Sequence, residues 1–227
     1  MPDVKIITTE DGSHSLFHPE LNETYHSHHG ALQESVHVFI DHGLKHAVDF
    51  FGRTKVSILE VGFGTGLNAL LTVVAQPQLN IAIDYTTLEP YPLEQAVIEK
   101  LNYTDLDSLS QSKPLFERLH ASTWNEWVGL RDKMRIKKSL SKLEDFDAKG
   151  EQYNVVYFDA FAPNKQAEMW DKELLTKVYY LMSSNSIFVT YCAKGQLKRD
   201  LKAIGFEVET LPGPPGKKEM VRAMKMG

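Results

Sequence analysis

Three glycines at alternating positions mark the place where this chain's backbone can lie flat against a ligand. They follow the apolar, β-branched run Val56 to Val61, with the spacing Glu60-x-Gly62-x-Gly64-x-Gly66, and a helix opens at Leu67 and Asn68. Glycine there lets the main chain turn sharply and approach a bound molecule without a Cβ in the way. A dinucleotide turn is spaced G-x-G-x-x-G and cradles a pyrophosphate at the helix N-terminus. Here the third glycine comes one residue early and an acid precedes the first, so a nicotinamide dehydrogenase is disfavoured.

Two carboxylates at the ends of later apolar runs extend this chemistry. Glu89 closes the run Ile81 to Leu88, and an acid at a second strand end can accept both hydroxyls of a ribose. The alternative is a solvated loop glutamate. Asp159-Ala160-Phe161-Ala162-Pro163 follows Tyr153 to Phe158, at the lip where a second substrate would meet the cofactor. Such an acid can bind an ammonium group and take its proton, while the aromatic Phe161 can stack on a substrate ring. Asp159 could instead cap the segment after it.

Elsewhere the signals are weaker. His26, His28, His29 and His37 lack regular ligand spacing and no cysteine accompanies them, so a metal centre is not expected. Tyr25 and Ser27 beside them are expected to line a pocket or tie down an N-terminal arm, and Glu34 has a cap, salt-bridge or site role. Toward the end, Lys194, Lys198, Arg199, Lys202, Lys217, Lys218, Arg222 and Lys225 face only Asp200, Glu207, Glu209 and Glu219. The loop Gly213-Pro214-Pro215-Gly216-Lys217-Lys218 suits a phosphate backbone, unless its lysines are ordinary solvated ones. Residues 131–149 hold a second basic candidate patch.

The elements that must position these residues alternate. The polar start, with Asp11-Gly12 as a turn, reads as a small hairpin or arm. Residues 30–50 read as a helix broken near Gly43, and 67–76 as a helix ended by Pro77. Strands are expected at 56–61, 81–88, 134–140, 153–158 and 187–192, with helices at 93–101, 168–182 and 194–204. Residues 206–210 and 220–225 pair as an antiparallel hairpin. Alternation of this kind argues a doubly wound α/β sheet with ligands at the carboxyl ends of its strands. The expected organisation is an N-terminal extension over 1–50 and a catalytic domain over 51–227.

Bulk properties set outer limits. The chain has 227 residues, net charge −5 and one cysteine, Cys192. It is not globally basic, so an anionic partner must be met by a local patch. A disulfide framework is excluded. The start lacks a secretory pattern and no run reaches the length of a membrane span, so a cytoplasmic protein without a membrane partner is expected.

Taken together, the segments Tyr25 to Ile40, Val61 to Asn68, Tyr157 to Pro163 with Glu168-Met169-Trp170, and Gly213 to Met220 resemble the MnmC-like methyltransferase family, from about residue 10 onward. The resemblance implies a class I S-adenosyl-L-methionine methyltransferase, a Rossmann-like, mostly parallel sheet with a C-terminal antiparallel hairpin. It implies methylation of the 5-aminomethyl group of the tRNA wobble (2-thio)uridine, with the tRNA anticodon stem-loop as substrate. Since the chain stops at Gly227, a methyltransferase without the family's FAD-dependent oxidase is expected, supplied with aminomethyl tRNA by other enzymes. Glu60, Gly62, Gly64, Gly66, Asn68 and Glu89 would carry over as cofactor residues and Asp159 as the catalytic acid. Tyr25, Ser27, Glu34, Phe161, Pro163, Lys194, Lys217, Lys218 and Glu219 would meet the substrate. Other readings are methylation of another small-molecule or protein amine, or an RNA-binding module without turnover. One departure stands out: where class I enzymes commonly place an acid after the third strand, this chain has Ser139 or Leu140, or Ser122 if that strand lies earlier.

Overall fold

The computed structural model describes residues 4–227. Its centre is an eight-stranded sheet in the order β10-β11-β9-β8-β4-β5-β7-β6. The strands are β4 (Lys55–Val61), β5 (Ala82–Leu88), β6 (Trp127–Arg131), β7 (Met134–Ser139), β8 (Tyr153–Phe158), β9 (Met182–Thr190), β10 (Glu207–Pro212) and β11 (Glu219–Lys225). β7, β5, β4, β8 and β9 run parallel, whereas β6 and the β10–β11 hairpin pair antiparallel. β11 lies inside the sheet, bonded to both β9 and β10. The reversal between β4's two parallel neighbours puts a crevice at the carboxyl ends of β4, β5 and β8, where open α/β sheets bind ligands.

Both faces of the sheet are covered, which explains why its central strands read as continuous apolar runs. Val56, Ile58, Ile83, Tyr85, Val155 and Tyr157 pack under the helices 31–51, Leu67–Leu79 and Lys113–Ala121. Leu59, Val61, Leu88, Val156 and Phe158 face the helices Lys172–Leu181 and Gly195–Ile204. Ahead of residue 31, β1 (Lys5–Thr8), β2 (His14–His18) and β3 (Glu23–Thr24) form a small antiparallel sheet. Among the described residues no helix is long and apolar enough to cross a membrane.

Two expected breaks are absent, each for a local reason. Gly43 does not end its helix. Helical structure runs from Ala31 to Phe51, with wider i→i+5 turns over Val36–Lys45. A Cβ on Gly43 would stand 3.0 Å from Val189 and 3.2 Å from Tyr157, so the glycine lets this helix press on the sheet. Pro77 lies inside the helix Leu67–Leu79. Lacking an N–H, it leaves the Val73 carbonyl without its usual donor, and Arg131 donates to that oxygen at 3.2 Å. The stretch 104–128, irregular by pattern, holds short 3₁₀ turns, the helix Lys113–Ala121 and the start of β6.

Candidate active site

A cavity of about 530 Å³ opens at the crevice, a size suited to a small-molecule ligand. Its floor is the glycine turn. Gly62, Gly64 and Gly66 all have positive φ, and each is closely overlaid. A Cβ on Gly62 would stand 2.9 Å from the Asp159 carbonyl oxygen, and one on Gly64 3.1 Å from the Tyr25 ring. Gly62 and Gly64 line the cavity, whereas Gly66 does not and is pressed against the His120 and Phe63 rings.

Glu89 follows β5 and lines the same cavity. Its two carboxylate oxygens accept the backbone N–H groups of Gly64 and Tyr91, both at 2.9 Å, which fixes the side chain against the glycine turn. Tyr91 is 61% exposed at the lip, a flat ring available for stacking. This set has the character of a nucleoside site: a glycine floor that side chains would fill, a pinned carboxylate and an aromatic face.

Asp159 follows β8, its N–H bonded to the Val61 carbonyl. Its carboxylate lines the cavity and accepts the Asn68 side-chain N–H at 2.9 Å. Burial and then the nearby Glu34 carboxylate push its pKa up to about 7, against the opposing pull of Asn68 and Lys217. Phe161 stands edge-on to Tyr25 at 5.1 Å and to His18 at 5.9 Å, giving an aromatic wall beside the acid. Asn68 therefore serves Asp159 as well as lining the cavity.

Several expected site residues lie elsewhere. Glu60 does not line the cavity; it is 0% exposed among the sheet and helix side chains. Glu34 is buried behind the site, where its carboxylate accepts the Ser27 N–H at 2.6 Å and pairs with Lys217. Lys217 thus turns inward, its ammonium 3.7 Å from the centre of the Tyr191 ring. Glu219 pairs with Lys198 at 3.0 Å. Pro163 and Ser27 are outside the lining, while Lys194 and Lys218 are exposed on the rim side of β9 and β11. The histidines disperse, His26 to Ser15, His29 to Glu10 and His37 to the Pro212 carbonyl.

The lining also includes residues the motifs did not indicate. After β7 the chain passes Leu140 and enters the wall through Ser141, Lys142, Leu143 and Glu144. A carboxylate therefore reaches the cavity five residues beyond the third parallel strand. Tyr191, at the end of β9, donates to the Ala160 carbonyl at 2.9 Å and holds the Asp159 loop down. Glu20, Glu89, Glu144, Asp159 and Glu168 in the wall outnumber Lys142 and Lys165, so the cavity's field favours a cation.

Comparison with known proteins agrees with this geometry. A family described as S-adenosyl-L-methionine-dependent methyltransferase matches residues 125–226. That stretch includes Glu144, Asp159, Tyr191 and the Gly213–Lys218 loop. Over those residues the chain resembles S-adenosyl-L-methionine-dependent methyltransferases. It is 32% identical to the "tRNA 5-methylaminomethyl-2-thiouridine biosynthesis bifunctional protein MnmC" of Cupriavidus necator, over 91% of this chain and 32% of that protein. With the protein of the same name from Hydrogenovibrio crunogenus the identity is 30%, over 88% of this chain and 31% of the relative. The chain thus spans about a third of the length of these curated relatives. The crystal structure of MNMC2 from Aquifex aeolicus superposes with a TM-score of 0.81 at 23% identity, covering 100% of this chain and 72% of that one. This likeness shows a shared α/β fold.

Proposed function

We propose that this methyltransferase N-methylates the 5-aminomethyl group of the tRNA wobble (2-thio)uridine, taking its anticodon stem-loop in the cytoplasm. The observation that carries the reading is Asp159, a half-buried carboxylate held by Asn68 beside an aromatic wall in a cavity rich in acids. The names of the curated relatives point to the same nucleoside.

The cofactor supplies an electrophilic methyl group on a sulfonium. Gly62, Gly64 and Glu89 would hold it, with Tyr91 over its base, and the acidic wall suits its positive charge. Asp159 binds the incoming alkylammonium as its counter-ion and accepts the proton that must leave before nitrogen can attack. Phe161 and Tyr25 pack on the pyrimidine. In-line displacement then depends mainly on holding the two reactants in register.

The tail cations divide into two groups. Lys198, Lys217 and Arg222 are paired with Glu219, Glu34 and Glu209, and Lys225 donates to the carbonyls of Tyr179 and Met182. Lys194, Lys202 and Lys218 form no ion pair among the described residues. Lys194 and Lys218 lie at the cavity end of the sheet and are assigned to phosphate contacts. Replacing both by Ala should weaken tRNA binding and lower the salt slope by about two. Filter binding at several salt concentrations measures this; an unchanged slope would return them to ordinary surface lysines. Lys217→Ala should leave that slope alone but strand Glu34 near Asp159, moving the acid limb of the pH–rate profile upward.

The substrate assignment is tested by nucleoside mass spectrometry of aminomethyl-uridine tRNA incubated with protein and cofactor. The expected product is 5-methylaminomethyl-uridine. If that nucleoside stays unmethylated while another amine reacts, the assignment is wrong. The aminomethyl precursor must come from enzymes that expose a primary amine on the same uridine.

A further inference from the structure

Glu60 is a buried carboxyl. Both of its oxygens are sealed from solvent, and neither makes a well-directed hydrogen bond. It points to the face of the sheet that lies under the helix Leu67–Leu79. The polar groups turned toward it are Thr87 and Tyr85 from β5 and Asn68 from that helix, with Asp159 nearby. The Thr87 and Tyr85 hydroxyls and the Asn68 Oδ1 are themselves buried and unpartnered. The other end of the Asn68 amide is committed, because Nδ2 donates to Asp159 at 2.9 Å.

An ionised carboxyl in such a place would be an uncompensated buried charge, whereas the neutral acid offers one O–H donor. Asn68 Oδ1 is the facing atom that can only accept. The two hydroxyls can each donate to the remaining carboxyl oxygen. We infer that Glu60 is a positioning residue, whose carboxyl fixes the Asn68 amide and, through it, the Asp159 carboxylate. With the proton on Glu60, this one assignment of donors and acceptors accounts for every one of these atoms. Ionised Glu60 would instead draw Nδ2 toward itself and turn Oδ1 against Asp159, removing the one side-chain donor to that acid among the described residues.

This inference rests on Asp159 being the group that meets the amine. Burial pushes Glu60 up to about 8 and Asp159 up to about 7. Tyr85 and Tyr157 are raised by burial and stay neutral, and Glu34 and Lys217 act on Asp159 from the far side. Turnover therefore has an alkaline limb that belongs to Glu60, a residue that touches neither reactant.

Glu60→Gln and Glu60→Leu separate the possibilities. Glutamine supplies an N–H donor to Asn68 and no charge, so E60Q should retain turnover and lose the decline above about pH 8. E60L offers no donor; its kcat should fall by about tenfold to a hundredfold while the cofactor dissociation constant stays unchanged. A second readout needs no substrate: infrared difference spectra between neutral and alkaline pH should show a protonated-carboxyl band that E60Q lacks. A pH profile of E60Q that superposes on the wild type, or a Glu60 already ionised at neutral pH, overturns the inference. If E60L fails to fold, the E60Q comparison and the infrared band still decide. If even the wild type methylates no aminomethyl-uridine, the functional reading fails while the infrared band still reports on Glu60.

Discussion

Asp159→Asn should keep cofactor binding and lose turnover by about a hundredfold to ten-thousandfold, the range set by removal of a general base. Asparagine fits the same space and keeps an oxygen for the Asn68 N–H. It can neither pair with an ammonium nor accept its proton. The wild type should gain activity as pH rises through about 7, where Asp159 ionises, and the residual activity of the variant should lack that limb. The same substitution has a stability signature. Because burial raises Asp159 in the folded protein above its ordinary value of 3.8, the native state holds a proton that the unfolded chain gives up between that value and about 7. Stability is therefore lost as pH rises through this interval. Asn has no such charge to hide, so D159N should melt higher than wild type at neutral pH, with the gap closing toward pH 4. Calorimetry with S-adenosyl-L-methionine, single-turnover rates and melting curves at several pH values measure all three. Undiminished turnover would remove Asp159 from the chemistry.

Glu89→Ala should weaken cofactor binding by about a hundredfold or more, since hydrogen bonds to a charged group contribute about 1.5–3 kcal/mol each. Two effects combine. The carboxylate is the proposed acceptor for the ribose hydroxyls. It also takes the N–H groups of Gly64 and Tyr91, so its loss unpins the glycine turn and the lip together. Glu89→Gln keeps the shape of the side chain but not its charge and should fall between. Isothermal titration with the cofactor or its demethylated product gives the dissociation constants. An alanine variant that binds as tightly as wild type would move the ribose elsewhere.

The sequence was most legible at the ends of buried strands. The positions of Glu89 and Asp159 were readable because a charged residue after a continuous apolar run must lie where the sheet stops. The parallel order of β4, β5 and β8 then brings those ends together. Helix limits were less readable, because Pro77 and Gly43 break helices only in isolation. Here Arg131 supplies the donor that Pro77 lacks, and the sheet needs the space that Gly43 leaves. Lys217 was the clearest misreading. A lysine after a Pro–Gly loop looks solvated, and only a carboxylate 183 positions earlier turns it inward. Glu144 and Tyr91 belong to loops, whose reach into a cavity has no periodic signature.

The fastening of the helix 31–51 to the loop before β11 has a consequence for how the chain is made. His37 bonds to Pro212, Glu34 pairs with Lys217, and the His29 ring packs against Gly216. A ribosome releases the helix well before these three partners, which lie some 170 or more residues further on. β9 likewise waits with an open edge until β11 arrives to fill the place beside it. During synthesis Glu34 has no ammonium to seat it, and the cavity wall behind Asp159 is unfinished. The nascent chain therefore cannot carry a competent site, and the early helix and the bare strand edge are where a chaperone would hold it.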